Sequence, residues 1–186
     1  MNKYLMIAAV TGIMGLDPGA GFAAEKVTVD SFVRAETDMT LDRYVRQGAL
    51  GKLIHIRMPV PIDRQDVIRM NRDTLYSLGV IDISKGATVT LPDAGKRYMS
   101  LMVINNDGYV NHVYYGGGTY ELTMEKFDTP YVGVVIRTLA NPEDADDLKA
   151  AHELQDQVRI EAASDKAFVL PDYDKASYKA TLEPIL

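Results

Sequence analysis

The feature that most constrains this chain is a change of hydrophobic period near residue 75. From there LYSLGVIDI, ATVTL, RYMSLMVIN, NHVYY, TYELT and YVGVVIRTL form six short β-rich runs, divided by Ser-Lys-Gly, Pro-Asp-Ala-Gly, Asn-Asp-Gly and Gly-Gly-Gly. Alternation sorts their side chains by face: Met99, Leu101 and Val103 lie on one side of their strand, and Tyr98, Ser100, Met102 and Ile104 on the other. In the last run Val132, Val134 and Ile136 share the apolar face, so Arg137 leaves the opposite one. A parallel sheet needs long crossover connections, usually helical, between successive strands. None separates these runs, so the pattern predicts an antiparallel sandwich or barrel-like sheet. Asn106-Asp107-Gly108 fits a hairpin turn, because Asp-Gly tolerates the positive φ that such turns demand.

Helical patterning flanks this block. VTVDSFVRAETDMTLDRYVRQG predicts a helix capped by Thr28 or Asp30, with Val33, Thr37, Leu41 and Tyr44 on one face and Gly48 at its end. Leu53 to Met58 predicts a short strand, after which Pro59 and Pro61 enforce an extended connection. NPEDADDLKAAHELQDQVRI predicts a late helix with Asn141 as cap and Pro142 in its first position. Glu143, Asp144, Asp146 and Asp147 then sit where the helix dipole favours negative charge, and Leu148, Ala151, Leu154 and Val158 form the apolar stripe. The tail predicts a short strand and a final helical turn or two. The expected fold is α+β and mainly β: an antiparallel sandwich-like sheet flanked by an N-terminal helix and a late C-terminal helix.

The N-terminus carries Lys3, an apolar run from Tyr4 to Leu16 and a small-residue stretch ending Gly21-Phe22-Ala23-Ala24, the layout of a secretory signal. The run is shorter than the ~20 residues a membrane span requires. Residues 1–23 are therefore expected to be a signal peptide and 24–186 a single exported domain, periplasmic or secreted, with no membrane span after signal removal. The remaining 163 residues keep the net charge of −6, because the leader removes one Lys and one Asp. That acidic balance argues against a nucleic-acid partner. With no cysteine, thiol catalysis, thiolate metal sites and disulfides are excluded.

The candidate chemistry is sparse. Arg72 and Asp73 are adjacent, so on a strand their side chains leave on opposite faces. Arg72 is expected to reach a carbonyl or carboxylate elsewhere, and Asp73 to accept backbone N–H bonds and fix the turn into the strand. His55, His112 and His152 have no metal-ligand spacing, so no metal site and no cofactor is expected. His112 follows the NNDG turn and precedes two tyrosines and three glycines, a stretch suited to polar and aromatic contacts with a small molecule. There is no Gly-x-Ser-x-Gly elbow and no phosphate loop. Asp73, Asp82, Asp107 and Glu121 are the carboxylates that a glycosidic mechanism would have to bring to one cleft.

The stretch RMNRDTLYSLGVIDISKGATVTLPDAGKRYMSLMVINNDGY, continued by TPYVGVVIRTLANPEDADDLKAAHELQDQ, resembles the uncharacterised bacterial family known as domain of unknown function 1254. The matching elements are Asn-Arg-Asp-Thr-Leu-Tyr-Ser at 71–77, Leu-Pro-Asp followed by Gly-Lys-Arg-Tyr at 91–98, Arg-Thr-Leu at 137–139 and Leu-Gln-Asp at 154–156. The resemblance implies a β-sandwich-rich domain; larger relatives append a second sandwich domain that this chain is expected to lack. It carries no agreed catalytic residues. Its recurring positions Arg72, Asp73, Tyr76, Arg97, Tyr98 and Arg137 lie at strand ends, where three arginines on one rim would favour an anionic ligand. All of these except Tyr98, together with Asn106, Tyr109 and His112, make the expected ligand-binding set. The leading expectation is binding of a small polar or anionic molecule in the cell envelope. The alternatives are a hydrolase of glycans or esters and a structural or partner-binding module.

Overall fold

A computed structural model describes residues 23–63 and 70–185. The expected leader, apart from Ala23, lies outside the described residues. Each of the six period-two runs forms a strand: β2 (Thr74–Asp82), β3 (Ala87–Leu91), β4 (Met99–Asn105), β5 (Val110–Tyr115), β6 (Gly118–Leu122) and β7 (Tyr131–Leu139). The short strand before the prolines is β1 (Ile54–Ile56), and β8 (Arg159–Ala162) follows the late helix. All pairings between these strands are antiparallel. They build a five-stranded sheet in the order β1-β2-β7-β4-β5 and a three-stranded sheet in the order β6-β3-β8.

The core lies between the two sheets and follows the predicted alternation. Met99, Leu101, Val103, Val132, Val134 and Ile136 point inward from the large sheet and meet Val89, Leu91 and Leu122 of the small one, with Ile81 and Phe127 among them. Each such side chain contributes roughly 1.5–3 kcal/mol on burial. The chain passes from one sheet to the other between β5 and β6. There His112, Tyr114 and Tyr120 stack in a row with ring centres 4.3 Å apart at each step, closing the open edge of the sandwich. All nine residues of β2 are buried, because its outer face is covered as well. Tyr76 and Leu78 meet Val60, Ile56, Tyr44 and Val135 there.

The first helix, α1 (Phe32–Arg46), lies against that outer face but does not bury the predicted stripe. Ala35, Asp38 and Leu41 are its buried residues, while Val33 is 54% exposed. A carboxylate breaks the apolar pattern because three side chains donate to it, as described below. Neither Thr28 nor Asp30 caps the helix. Ser31 holds that position without a side-chain bond into it. After the short α2 (Met124–Phe127), the late helix α3 (Ala145–Gln157) starts beyond Asn141, with Asp144 accepting the N–H groups of Asp146 and Asp147. Asn141 accepts instead from the Glu143 N–H. Gln155, not Leu154, is the fully buried residue near its end, and donates to the Tyr76 carbonyl and Ser77 Oγ. In place of a tail strand there is a single bridge between Glu25 and Tyr173, then α4 (Lys175–Leu182) and a 3-10 turn (Glu183–Ile185). The Tyr178 ring stacks on Phe32 of α1 at 5.3 Å. No helix among the described residues is long and apolar enough to cross a membrane.

Candidate functional site

The residues expected to converge on one rim divide between two ends of the large sheet. The pairings Thr74–Leu139 and Met99–Thr138 put Arg72, Asp73, Tyr76, Arg97 and Arg137 at one end. Asn106 and Tyr109 lie at the other, past the far end of β4, and His112 is on the inner face opposite Val103.

Most of the charged groups at the first end already hold protein atoms. Arg72 Nε donates to the Val60 carbonyl at 3.0 Å and clamps the proline-rich segment to the start of β2. The turn into β2 is fixed by Asn71, whose Oδ1 accepts the Asp73 N–H, rather than by the Asp73 carboxylate. Arg97 makes a two-pronged pair with Asp147 at 2.6 and 3.0 Å and also donates to the Leu139 carbonyl. Arg97 hydrogen bonding, joined by the Asn141 N–H, pulls the Asp147 carboxyl down to about 2. This pair fastens the acidic first turn of α3 to the end of the sheet.

At the opposite end Asn106 is buried and fully committed. Its Nδ2 donates to Asp38 at 2.7 Å, its Oδ1 accepts the Tyr131 N–H, and its own N–H donates to Thr129 Oγ1. Asp38 also accepts from Arg34 Nε and the Tyr173 hydroxyl, both at 2.8 Å. Burial, then the bond to Asp38, pushes the Tyr173 hydroxyl well above its ordinary value. These four residues bind α1, the β4–β5 turn and the C-terminal tail together. Tyr109 is exposed and His112 belongs to the edge-closing stack.

The carboxylates proposed for hydrolysis do not gather. Asp73 and Asp82 flank β2 at opposite ends, about 30 Å apart at strand rise. Asp82 is buried and accepts from Ser164 and from the Ser84 and Lys166 N–H groups; burial alone would raise its carboxyl, but these donors hold it below the usual range. Asp107 pairs with Arg34, and Glu121 lies on the small sheet beside Lys126. One arrangement imitates a nucleophilic dyad: His55 Nδ1 shares a 2.7 Å hydrogen bond with Ser77 Oγ. Ser77 is fully buried and is also held by Gln155, so its hydroxyl cannot reach a substrate. Burial, then the Arg57 charge, lowers the His55 ring below its ordinary value.

The open space lies elsewhere. Between α1 and the outer face of the large sheet is a cleft of about 280 Å³. Leu78, Ile104, Gly133 and Val135 line its sheet side, and Val33, Glu36, Thr37, Thr40, Leu41 and Tyr44 its helix side. The register extends its floor toward the first end of the sheet, where Tyr76, Arg137 and Ser100 lie side by side one strand repeat beyond Leu78, Val135 and Met102. Arg137 therefore shares the face of Val135. Its Nε donates to Thr74 Oγ1 at 3.3 Å and its guanidinium lies 5.9 Å from the Tyr76 ring centre. The lining is apolar except at Glu36, Thr37 and Thr40. Glu36 accepts a hydrogen bond from Tyr178, whose hydroxyl burial and that bond push up to about 12.

Residues 50–127 match the model of a family described as protein of unknown function, DUF1254. Over these residues the chain is similar to that family. The resemblance read from the residues is borne out over that span. The matched stretch contributes Leu78, Gly79, Ile104 and Gly108 to the cleft, and α1 and β7 supply the rest. Among curated proteins, none matches the chain. A solved structure, the VPA0106 protein from Vibrio parahaemolyticus, is similar with a TM-score of 0.58 at 18% identity, over 79% of this chain and 41% of that one. That likeness is one of fold. The chain spans about two fifths of the length of VPA0106.

Sequence reasoning did not find the cleft beside the matched segment, although Gly133 signalled it. Gly79 and Gly133 sit in central strands, where glycine marks close approach. A Cβ on Gly133 would lie 2.9 Å from Leu41 Cδ2, and one on Gly79 2.8 Å from the Lys52 carbonyl. Bare backbone at these points lets neighbouring segments come close to the sheet.

Proposed function

We propose that this domain binds a small molecule in the cell envelope, with the cleft beside α1 as its site. The supporting observation is unfilled apolar volume walled by a helix and floored by three strands, with few polar groups at its margin, the usual composition of a small-molecule site. The leader-like residues 1–23 support an exported location. The anionic preference expected from three arginines narrows to Arg137, since Arg72 and Arg97 are engaged by Val60 and Asp147. Hydrolysis draws no support from the buried Ser77 or the scattered carboxylates.

A thermal-shift screen of residues 24–186 against small aliphatic and aromatic compounds tests this reading. Binding raises the melting temperature in proportion to the logarithm of ligand excess over Kd. Thr40→Phe, which fills the cleft from a half-buried helix position, is expected to abolish the shift while the protein stays folded. Shifts that survive Thr40→Phe would place the site elsewhere. The absence of any shift would remove the binding function.

A further inference from the structure

We infer that the ligand is a compact amphiphilic anion whose apolar body fills the cleft and whose charged head rests on the Arg137 guanidinium. The inference deepens the proposed binding function and rests on it. Two independent properties of the site carry it: the size of the cleft and the state of the charges at its two margins.

Size limits the body. A cavity of 150 Å³ accommodates benzene, so 280 Å³ corresponds to about a dozen non-hydrogen atoms. That is a medium-length acyl chain or a substituted aromatic ring, and is too small for a long-chain lipid.

Charge fixes the head. Arg34, Arg57 and Arg97 each pair with a carboxylate, whereas Arg137 has no such partner among the described residues. One of its nitrogens is committed to the Thr74 hydroxyl, and the Tyr76 ring lies against the guanidinium, so the fork is oriented without being neutralised. On its other side Ser100 accepts from the Tyr98 hydroxyl, and Tyr98 meets the edge of Tyr115. A guanidinium held in this way presents parallel N–H donors to a carboxylate. Arg137 stands two residues, about 7 Å, along β7 from Val135 in the cleft floor, within reach of a head whose body occupies the cleft. The other ionisable group at the cleft, Glu36, already accepts a donor from Tyr178 and would repel an anion from the helix side. The ligand is thereby oriented with its charge away from α1.

Calorimetric titration with octanoate, 1-octanol and octylamine separates the possibilities. The three share a body and differ in the head. Octanoate is expected to bind about tenfold more tightly than octanol, the effect of one charge-assisted interaction. Arg137→Gln is expected to bring octanoate to the level of octanol and to leave octanol within about twofold of wild type, which also shows that the variant is folded. Arg137→Lys should keep part of the preference. Equal binding of octanoate and octanol by the wild type, or a preference that survives Arg137→Gln, would overturn the inference while leaving the cleft as a binding site. Tightest binding of octylamine would overturn it in favour of Glu36. Failure of all three to bind would defeat the binding function itself. Should Arg137→Gln not fold, the three-way comparison on the wild type decides alone.

Discussion

Asn106 donates its side-chain N–H to the buried Asp38 carboxylate at 2.7 Å, tying the β4–β5 turn to the middle of α1. Tyr173 and Arg34 donate to the same carboxylate, so one residue holds a helix, a turn and the C-terminal tail. Removing the acceptor leaves the buried Asn106 amide without a partner and unties Tyr173 and Arg34 from α1. Asp38→Ala is expected to destabilise the fold by about 3 kcal/mol in urea unfolding, and Asn106→Ala by less, since it strands fewer groups. A loss below about 1 kcal/mol for Asp38→Ala would show that the network is dispensable.

The Arg97–Asp147 pair makes stability depend on acid. Asp147 titrates at about 2 in the folded protein, against 3.8 ordinarily. A carboxyl depressed by folding stabilises the native state above its ordinary value, and that contribution is lost as pH falls through the folded value. Urea midpoints of wild type and Arg97→Gln should therefore differ most near neutral pH and converge as pH falls from 3.8 to about 2. A constant difference across that range would mean that Arg97 acts through packing alone.

Thr138 is fully buried, and its hydroxyl has no hydrogen-bond partner among the described residues. Its inward-facing neighbour Ile136 and the residue across from it, Leu75, are both buried and apolar. Thr138→Val keeps the shape and removes the desolvated hydroxyl. It is expected to raise stability by about 1 kcal/mol, measured by chemical denaturation. A destabilised variant would reveal a partner for that hydroxyl.

Where side chains alternate strictly, the chain announces its structure. The inward sets Met99, Leu101, Val103 and Val132, Val134, Ile136 are readable because period two leaves a single way to bury them. The α1 face is not readable in the same way: beside its i,i+4 partner Arg34, Asp38 occupies a core position because Asn106 and Tyr173 reach it from 68 and 135 residues away, a range no local pattern spans. The late helix deceives for the same reason, since Gln155 is buried by its bonds to β2. Strand β8 carries too few residues to show a period, and it forms because β3 offers a free edge. The expected rim divides by topology: antiparallel order keeps Arg72, Arg97 and Arg137 at one end of the large sheet and sends Asn106 to the other. Arg137 and Tyr76 from the expected set do stay together beside the cleft.

The most direct test of the account is nuclear magnetic resonance of the isotope-labelled domain saturated with octanol, whose neutral head leaves the result independent of Arg137. Intermolecular contacts between the octanol chain and the methyl groups of Leu78, Ile104 and Val135 are predicted, and Thr40→Phe should erase them. Contacts confined to exposed tyrosines such as Tyr109 and Tyr115, with the cleft methyl groups silent, would contradict it.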